Sequence, residues 1–186
     1  RNHRRSAAMP NGNDGPLLSR TREFWDRNPC DGFPDIRQRM AFRYRKEPWL
    51  PPLLERIAHH GRILEIGCGQ GSDSLYTCMH MSPGGLYTAL DLSPASIDSA
   101  RRSAAQASGM LRVYPDFMVG NAERLEFPDG AFSCGVSLGV LHHSPNTQQA
   151  VAELYRVLEH GGTAYVSLYR LFSPKLLVAH LLRGIA

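Results

Sequence analysis

Three glycines at alternate positions, Gly67, Gly69 and Gly71, follow a short apolar run at residues 63–66. Glycine allows backbone angles and close approaches that a Cβ would block. Residues 72–81 form a helix candidate directly after the glycines. Backbone N–H groups and the positive end of the helix dipole would therefore face a polar or anionic ligand group. The order of strand, glycine turn and helix predicts the opening unit of a doubly wound α/β fold with a nucleotide-type site.

The next group that could bind a ligand is the carboxylate of Asp91, 20 residues after the last of these glycines. Residues 86–91 predict a second strand, so Asp91 would lie at its carboxyl end, where it could accept hydrogen bonds from both ribose hydroxyls of a nucleoside. The alternative is a carboxylate that is simply favoured by the dipole of the following helix. Ser93 as the cap predicts that this helix spans residues 94–108.

The glycine spacing distinguishes between nucleotide classes. A dinucleotide fingerprint, G-x-G-x-x-G, would need a glycine where this chain has Ser72. The pattern is instead E-x-G-x-G-x-G, starting at Glu65, and it resembles motif I of the class I S-adenosylmethionine (SAM) methyltransferases. A plain glycine turn remains the alternative for this loop taken alone. A nicotinamide-dependent Rossmann enzyme is disfavoured by the spacing.

Further segments extend the resemblance over residues 63–169, more than half of the chain. Residues 119–145 follow the family's third strand, its L-P-F-x-D-like loop, its fourth strand and a Val-Leu-His-His turn. Residues 147–168 follow its next helix, a Gly-Gly turn and the fifth strand, predicted as a helix over 147–159 and a strand over 163–168. The resemblance implies a doubly wound, Rossmann-like, mostly parallel sheet flanked by helices.

The family's sheet has seven strands, and only residues 170–186 follow the fifth strand here. They include an apolar helix candidate from Ser173 to Gly184 that is too short to span a membrane. The expectation is therefore that the last two strands are lacking and that the chain is a fragment clipped at both ends. A naturally shortened variant would leave the fifth strand as an exposed edge.

The resemblance implies SAM as cofactor. The residue that accepts a hydrogen bond from the adenine amine, however, differs from the one usual in the family. The family's acidic residue after strand three is Asn121 here, whose side-chain oxygen can still accept the bond from the adenine amine. The residues expected to bind the cofactor are Glu65, Gly67, Cys68, Gly69, Gly71, Asp91, Leu92, Asn121, Ala122, Ser137 and Leu138.

His142 and His143 follow strand four, at the edge where ligands of open α/β sheets bind. One of them could act as a general base, or both could only shape the pocket. Methyl transfer from a sulfonium is an in-line displacement that depends largely on positioning. Ser137 stands near the strand end where metal-dependent relatives carry an Asp ligand, so transfer to a small organic acceptor without a metal is expected.

Residues 20–60 resemble the leader region of a bacterial branch of small-molecule methyltransferases. In such enzymes the N-terminal helices cover the cofactor and the substrate. The resemblance implies lid and substrate roles for Trp25, Arg43 and Tyr44, with Arg43 and Tyr44 reaching the methionine carboxylate of SAM. The alternative is a solvated amphipathic helix whose aromatic residues only pack. A helix over residues 53–59 would then lead into the sheet.

The net charge of +4 belongs to the N-terminus. Residues 1–22 contain five Arg and one Asp, whereas the remaining residues contain 16 basic and 16 acidic side chains. The charge therefore predicts no nucleic-acid groove in the core. Residues 1–19 are expected to be a disordered basic tail, residues 20–60 a helical lid and residues 61–186 the SAM-binding domain. Cysteine spacing predicts neither a disulfide framework nor a zinc site, and a cytoplasmic location is expected.

The sequence thus favours a SAM-dependent methyltransferase acting on a small-molecule acceptor, with no nucleic-acid or membrane partner. A SAM-binding fragment or pseudoenzyme without turnover is the alternative, because of the expected missing strands and of Asn121. Neither the acceptor nor the oligomeric state follows from the sequence, since substrate contacts come from variable loops.

Overall fold

A computed structural model describes residues 15–29 and 33–168, which form six α-helices and five β-strands. In chain order these are α1 (Pro16–Arg27), α2 (Ile36–Lys46), α3 (Leu50–Ile57), β1 (Arg62–Ile66), α4 (Ser72–His80), β2 (Leu86–Asp91), α5 (Pro94–Ala107), β3 (Asp116–Val119), β4 (Phe132–Leu138), α6 (Thr147–Val157) and β5 (Leu158–Ser167).

Polar side chains define where several helices begin. The side chains of Asp35, Ser93 and Asn146 each accept a hydrogen bond of 3.0 Å from the backbone N–H three residues further on. Such caps satisfy N–H groups that have no partner within the helix. Ser93 is followed by Pro94 at the first helical position, as the sequence predicts. The cap fixes the start of α5 directly after the end of β2.

The five strands form one parallel sheet in the order β3-β2-β1-β4-β5. All carboxyl ends therefore lie at the same edge. The chain moves outward from β1 to β3, then crosses back to add β4 on the other side of β1. Ligands of open α/β sheets bind at this switch point between β1 and β4. The predicted doubly wound, Rossmann-like parallel sheet is confirmed.

Side chains from β1 alternate between two apolar layers. Ile63 packs in a core with residues of α2, α3, α4 and α5, whereas Leu64 and Ile66 pack in a second core with residues of α6. All three side chains are at most 1% exposed. Successive side chains of β1 point to opposite faces of the sheet, and both faces are covered by helices.

The N-terminal segment differs from the expectation in two places. Residues 16–19, predicted as part of a disordered tail, belong to α1, because Pro16 suits the first helical turn and Leu18 is buried. The helix α3 begins at Leu50 rather than at residue 53, since its two prolines occupy positions where no N–H donor is needed. Residues 1–14 of the predicted tail lie outside the described residues, as does the helix predicted near residues 173–184.

The strand β5 also begins earlier than predicted, at Leu158 instead of residue 163. Leu158 pairs with Phe132 and Thr163 with Cys134, so the pairing advances by five residues on β5 and by two on β4. Residues 159–162 therefore form an irregular, bulged section, which contains Gly161 at a φ of 79°. The Gly-Gly pair, interpreted as a turn before the strand, lies inside it.

Candidate active site

A cavity of about 250 Å³ opens at the carboxyl ends of β1, β2, β3 and β4, at the switch point of the sheet. Four groups of residues from the strand ends line it: 65–70, 90–92, 120–122 and 138–140. The helix α1 contributes Leu18, Thr21 and Trp25 from the opposite side. Strand ends that lie far apart in the sequence therefore converge on one space, which α1 partly covers.

The glycine turn follows the predicted logic. Gly67, Gly69 and Gly71 have φ values of 79°, 53° and 83°, which L side chains rarely adopt. A Cβ on Gly67 would lie 2.3 Å from a methyl carbon of Val140, so the turn after β4 can approach only a glycine here. No atom lies within 4 Å of a Cβ built on Gly69. The turn thus leaves open space at Gly69, and Gly71 caps α4 behind it.

The carboxylate of Asp91 is fixed at the cavity wall by two backbone donors. One oxygen accepts from the Gly69 N–H at 2.8 Å and the other accepts from the Ser93 N–H at 2.9 Å. Burial raises the pKa of Asp91, while these two hydrogen bonds oppose the rise. Because each carboxylate oxygen has two lone pairs, both can accept a further bond from a ligand hydroxyl.

Asn121 lines the cavity after β3, where its side-chain oxygen accepts from the Glu123 N–H at 2.9 Å. One lone pair of this oxygen, which the sequence interpretation assigned to the adenine amine, is therefore occupied by the backbone N–H of Glu123. Ala122, Leu92, Leu138 and Cys68 also line the cavity, as predicted site residues. Burial raises the pKa of the Cys68 thiol well above its ordinary value, which makes it a poor nucleophile.

At the β1 end of the cavity, Glu65 and Asp73 lie beside Arg43. The guanidinium of Arg43 donates to both oxygens of Asp73, at 2.8 and 2.6 Å. Glu65 accepts from Tyr87 Oη at 2.9 Å and from the Ser74 hydroxyl. Burial, followed by the nearby Asp73 carboxylate, raises the pKa of Glu65 to about 7. This end of the cavity therefore offers both signs of charge and one carboxyl that titrates near neutrality.

His143 reaches the cavity, and its ring stands 5.1 Å from that of Trp25 in a T-shaped contact. The centroid of the His142 ring lies 4.0 Å from that of the His143 ring, but His142 does not line the cavity. Burial lowers the pKa of both imidazoles, so the neutral forms are favoured. A neutral imidazole at a cavity wall can accept a proton.

Three other predicted residues lie behind the wall. Ser137 is fully buried, and its hydroxyl donates to the Ile66 carbonyl at 3.2 Å. Gly71 is the helix cap already described. Tyr44 donates to the Ser72 carbonyl at 3.1 Å and to Asp73 at 3.2 Å, and burial raises its pKa. In the structure these residues support the site from outside the cavity.

Comparison with known proteins identifies the fold more closely. The family described as "Methyltransferase domain" matches residues 64–166, from β1 to the end of β5. The chain belongs to this methyltransferase family. The match spans the glycine turn, Asp91, Asn121 and the turn after β4, which are the elements that form the cavity.

Curated relatives are similar over a comparable stretch of this methyltransferase-family chain. The phthiotriol/phenolphthiotriol dimycocerosates methyltransferase of Mycobacterium leprae (strain TN) is 35% identical over 108 residues, which is 58% of this chain and 37% of the relative. The 2-methyl-6-phytyl-1,4-hydroquinone methyltransferase 1 of Oryza sativa subsp. japonica is 34% identical over 109 residues, or 58% and 31%. The chain thus matches about a third of the length of these relatives.

Solved structures support the same family fold. The PH0226 protein of Pyrococcus horikoshii OT3 superimposes with a TM-score of 0.60 and 26% identity, over 76% of this chain and 63% of that one. An arsenic(III) S-adenosylmethionine methyltransferase from Chlamydomonas reinhardtii gives a TM-score of 0.54 and 27% identity, over 66% and 44%. The predicted class I methyltransferase fold is confirmed.

Two residues that support the site in this methyltransferase domain escaped the sequence interpretation. Arg39 of α2 is 1% exposed, and its guanidinium donates to Gln70 Oε1 at 2.8 Å and to the Gln70 carbonyl at 3.2 Å, within the glycine turn. Asp26 of α1 accepts from the hydroxyl of Ser93, next to Asp91. Their partners lie more than 30 positions away, so no local spacing indicates them.

Two features are absent from residues 15–29 and 33–168. None of the helices there is long and apolar enough to cross a membrane. Within the same residues, no group of three or more His, Cys, Asp or Glu side chains is arranged to hold a metal ion.

Proposed function

We propose that the whole protein is a SAM-dependent methyltransferase that methylates a small organic acceptor. The observation that carries the proposal is the cavity at the switch point, with the Asp91 carboxylate fixed beside the open face of Gly69. The names of two relatives, a methyltransferase of phthiotriol/phenolphthiotriol dimycocerosates and one of 2-methyl-6-phytyl-1,4-hydroquinone, support a small-molecule acceptor.

The residues that line the cavity fit the parts of SAM. Asp91 has free lone pairs for the two ribose hydroxyls, and we expect the amide of Asn121, which lines the same cavity, to pair with the adenine edge. The Arg43–Asp73 pair at the other end presents a cation and an anion together, which matches the charges of an α-amino acid group. Because Arg43 already donates hydrogen bonds to Asp73, we expect both side chains, rather than Arg43 alone, to contact the methionine moiety of SAM.

When bound, SAM would supply a methyl group on a positively charged sulfur for in-line transfer to the acceptor. The protein's task is to align the two reactants and to keep water away from them. Trp25 and His143, in contact across the cavity mouth, are suited to excluding water. Because the pKa of His143 is lowered by burial, its neutral imidazole can take the proton of an acceptor hydroxyl.

The test is SAM binding by calorimetry in the wild type and in Asp91→Ala. Loss of a charge-assisted acceptor should cost about 1.5–3 kcal/mol, or roughly tenfold to a hundredfold in affinity. The matched control is Asp98→Ala, which removes an exposed carboxylate from the middle of α5 and should leave affinity unchanged. Equal SAM affinity in wild type and Asp91→Ala would contradict the proposed site.

Turnover needs its own experiment. The protein, incubated with a cell extract and SAM labelled in the methyl group, should produce labelled small molecules that are absent when the protein is omitted. Tight SAM binding without any labelled product would favour the alternative of a SAM-binding protein without turnover.

A further inference from the structure

The charged residues that line the cavity are unequally divided between the two signs. Among the described residues, four carboxyl groups and one guanidinium line it: those of Glu47, Glu65, Asp73 and Asp91, and that of Arg43. Arg43 donates to both oxygens of Asp73, and its Nη1 also lies 3.6 Å from a carboxylate oxygen of Glu47. The one cation is therefore shared between two carboxylates. The cavity has an excess of negative charge, which is largest when Glu65 is ionised.

The Glu65 carboxyl is anchored through one oxygen and open at the other. Its Oε2 accepts from Tyr87 Oη at 2.9 Å and from the Ser74 hydroxyl. Within residues 15–29 and 33–168, no donor is bonded to Oε1. Glu65 is only 5% exposed, and it lines the cavity. The two hydroxyls thus fix the carboxyl in place and leave Oε1 able to interact with a ligand there.

Glu65 lies between the two ends of the proposed cofactor site. On one side, burial and then the charges of Glu65 and Asp91 raise the pKa of the Cys68 thiol, so this thiol lies near both carboxylates. On the other side, burial has the largest effect on the pKa of Glu65, and the nearby charges of Asp73 and Arg43 then raise and lower it, respectively. The sulfur of SAM joins the ribose, proposed at Asp91, to the amino-acid group, proposed at the Arg43–Asp73 pair. Glu65 therefore lines the stretch of the cavity where the sulfur is expected.

Other titratable groups face Glu65 from the elements around it. They are Tyr44 on α2, Cys78 on α4 and Tyr87 on β2, and each has a pKa raised by burial first and by the charge of Glu65 among the further causes. These three groups therefore stay uncharged near neutral pH. His143 also lines the cavity, and burial lowers its pKa, which favours the neutral form. Glu65, with its pKa raised to about 7, is thus the neighbour whose charge is expected to change between pH 5 and 8.

We propose that Glu65 is a specificity-determining residue of the cofactor site, which favours the positively charged sulfonium of SAM over the uncharged thioether of S-adenosylhomocysteine, the product left after methyl transfer. The two compounds have the same nucleoside and the same amino-acid group, so they differ in the methyl group and in the charge on sulfur. A carboxylate beside the sulfur attracts the sulfonium and has no comparable attraction for the thioether. The inference rests on the proposed function and adds a direction to it, because loss of the positive charge weakens binding and lets the product leave.

The test compares the affinities of the full chain for SAM and for S-adenosylhomocysteine by calorimetry at pH 5, 6, 7 and 8. Glu65 holds its proton at pH 5 and is ionised at pH 8, so the ratio of the two affinities should shift toward SAM by about tenfold over this range. By linkage, SAM should also release more protons than S-adenosylhomocysteine where the ratio changes most steeply. Calorimetry in buffers of different ionisation enthalpy measures this release. A ratio that does not change with pH would overturn the proposal.

The residue is tested with Glu65→Gln, which keeps an acceptor oxygen for Tyr87 and Ser74 but removes the charge. In this variant the ratio should stay constant within about twofold from pH 5 to 8. The matched control is Glu126→Gln, the same chemical change at an exposed residue that does not line the cavity, and it should behave as the wild type. Urea unfolding checks that both variants are folded. A pH dependence that persists in Glu65→Gln would come from another group, such as His143, and would overturn the proposal.

Failure of this inference and failure of the proposed function give different results. Binding of both compounds with a ratio independent of pH rejects the role of Glu65 and leaves the proposed function standing. Binding of neither compound by the wild type rejects the proposed function and this inference with it. A ratio that shifts as expected, without methyl transfer to any compound in the extract, supports the role of Glu65 and favours a SAM-binding protein without turnover.

Discussion

At the scale of single residues, the cavity contains one carboxyl whose ionisation is balanced near neutral pH. Glu65 is buried in β1, where it accepts from Tyr87 and Ser74, and its pKa is raised to about 7. The folded state therefore holds a proton on Glu65 that the unfolded chain releases near pH 4.5. By linkage, this carboxyl makes the free energy of unfolding fall as pH rises from about 5 to 8.

We predict that Glu65→Gln removes this pH dependence. The amide oxygen can still accept from Tyr87 and Ser74, but the side chain has no charge to bury. The variant should match the wild type near pH 5 and exceed it at pH 8 by about 1–3 kcal/mol in free energy of unfolding. Urea unfolding at pH 5, 6, 7 and 8 checks the trend. A difference that is the same at every pH would contradict the raised pKa.

Asn121 carries a second prediction at this scale. Its side-chain oxygen already accepts from the Glu123 N–H. In the Asn121→Asp variant, one oxygen of the new carboxylate would keep that bond and the second oxygen could accept from the adenine amine. SAM affinity should therefore be kept or improved, as measured by calorimetry. A tenfold loss, about 1.4 kcal/mol, would mean that the Asn121 amide donates to the ligand instead.

At the scale of elements, α2 is joined to the cofactor site by one buried cation. Arg39 links α2 to the glycine turn through Gln70, to α4 through the Ser72 hydroxyl at 3.1 Å, and to α5 through the hydroxyl of Ser103. Ile36 on the same helix is 2% exposed. The helix predicted as part of a lid is therefore a built-in part of the core, and a lid role remains a prediction for α1.

Replacing the buried cation should be costly. Arg39→Met removes the hydrogen bonds that the guanidinium donates to Gln70, Ser72 and Ser103, so we expect a loss of about 3–5 kcal/mol in free energy of unfolding and weaker SAM binding. Arg45→Met on the exposed side of α2 is the matched control and should cost less than about 0.5 kcal/mol. Urea unfolding measures both. Equal costs would show that the contacts of Arg39 contribute little.

The elements that the sequence predicts well are those whose signals are local. Residues 63–72 contain a strand, a turn and a helix start in ten consecutive positions, and Ser93 caps α5 two residues after Asp91. The sequence cannot predict partners that only the fold brings together. Arg39 with Gln70 and Arg43 with Asp73 are about 30 positions apart, and no periodicity marks them. For the same reason the sequence predicts a direct contact between Arg43 and the cofactor, without the intervening carboxylate.

At the scale of the whole molecule, the N-terminal helices divide into two kinds. The helix α1 packs on α5 and is attached to the Ser93 hydroxyl through Asp26, but only Leu18 among its residues is buried. Helices α2 and α3, in contrast, contribute five residues to the interior: Ile36, Arg39, Leu50, Leu54 and Ile57. Removal of α1 and removal of both α1 and α2 should therefore have different consequences.

We predict that a chain lacking residues 1–29 stays folded and binds SAM, since the two backbone donors that fix Asp91 belong to Gly69 and Ser93, outside α1, and only the Asp26–Ser93 bond is lost. Methyl transfer should fall at least tenfold, because Thr21 and Trp25 no longer exclude water or position the acceptor. A chain lacking residues 1–46 should instead unfold, as it exposes the interior that Ile36 covers. Circular dichroism, calorimetry and a methyl-transfer assay separate these outcomes. Full activity without residues 1–29 would rule out a lid role for α1.

The division between strand ends and α1 also has an evolutionary consequence. The glycine turn, Asp91 and Asn121 belong to a sheet whose geometry tolerates little change, as the close approach of Gly67 and Val140 illustrates. The cover of the cavity, in contrast, depends on α1, a twelve-residue helix at the periphery with two exposed apolar side chains, Leu17 and Phe24. Selection could therefore change α1 while the donor half of the cavity stays constant. Exchange of this single helix between paralogues would then be a short route by which one scaffold acquires a new substrate.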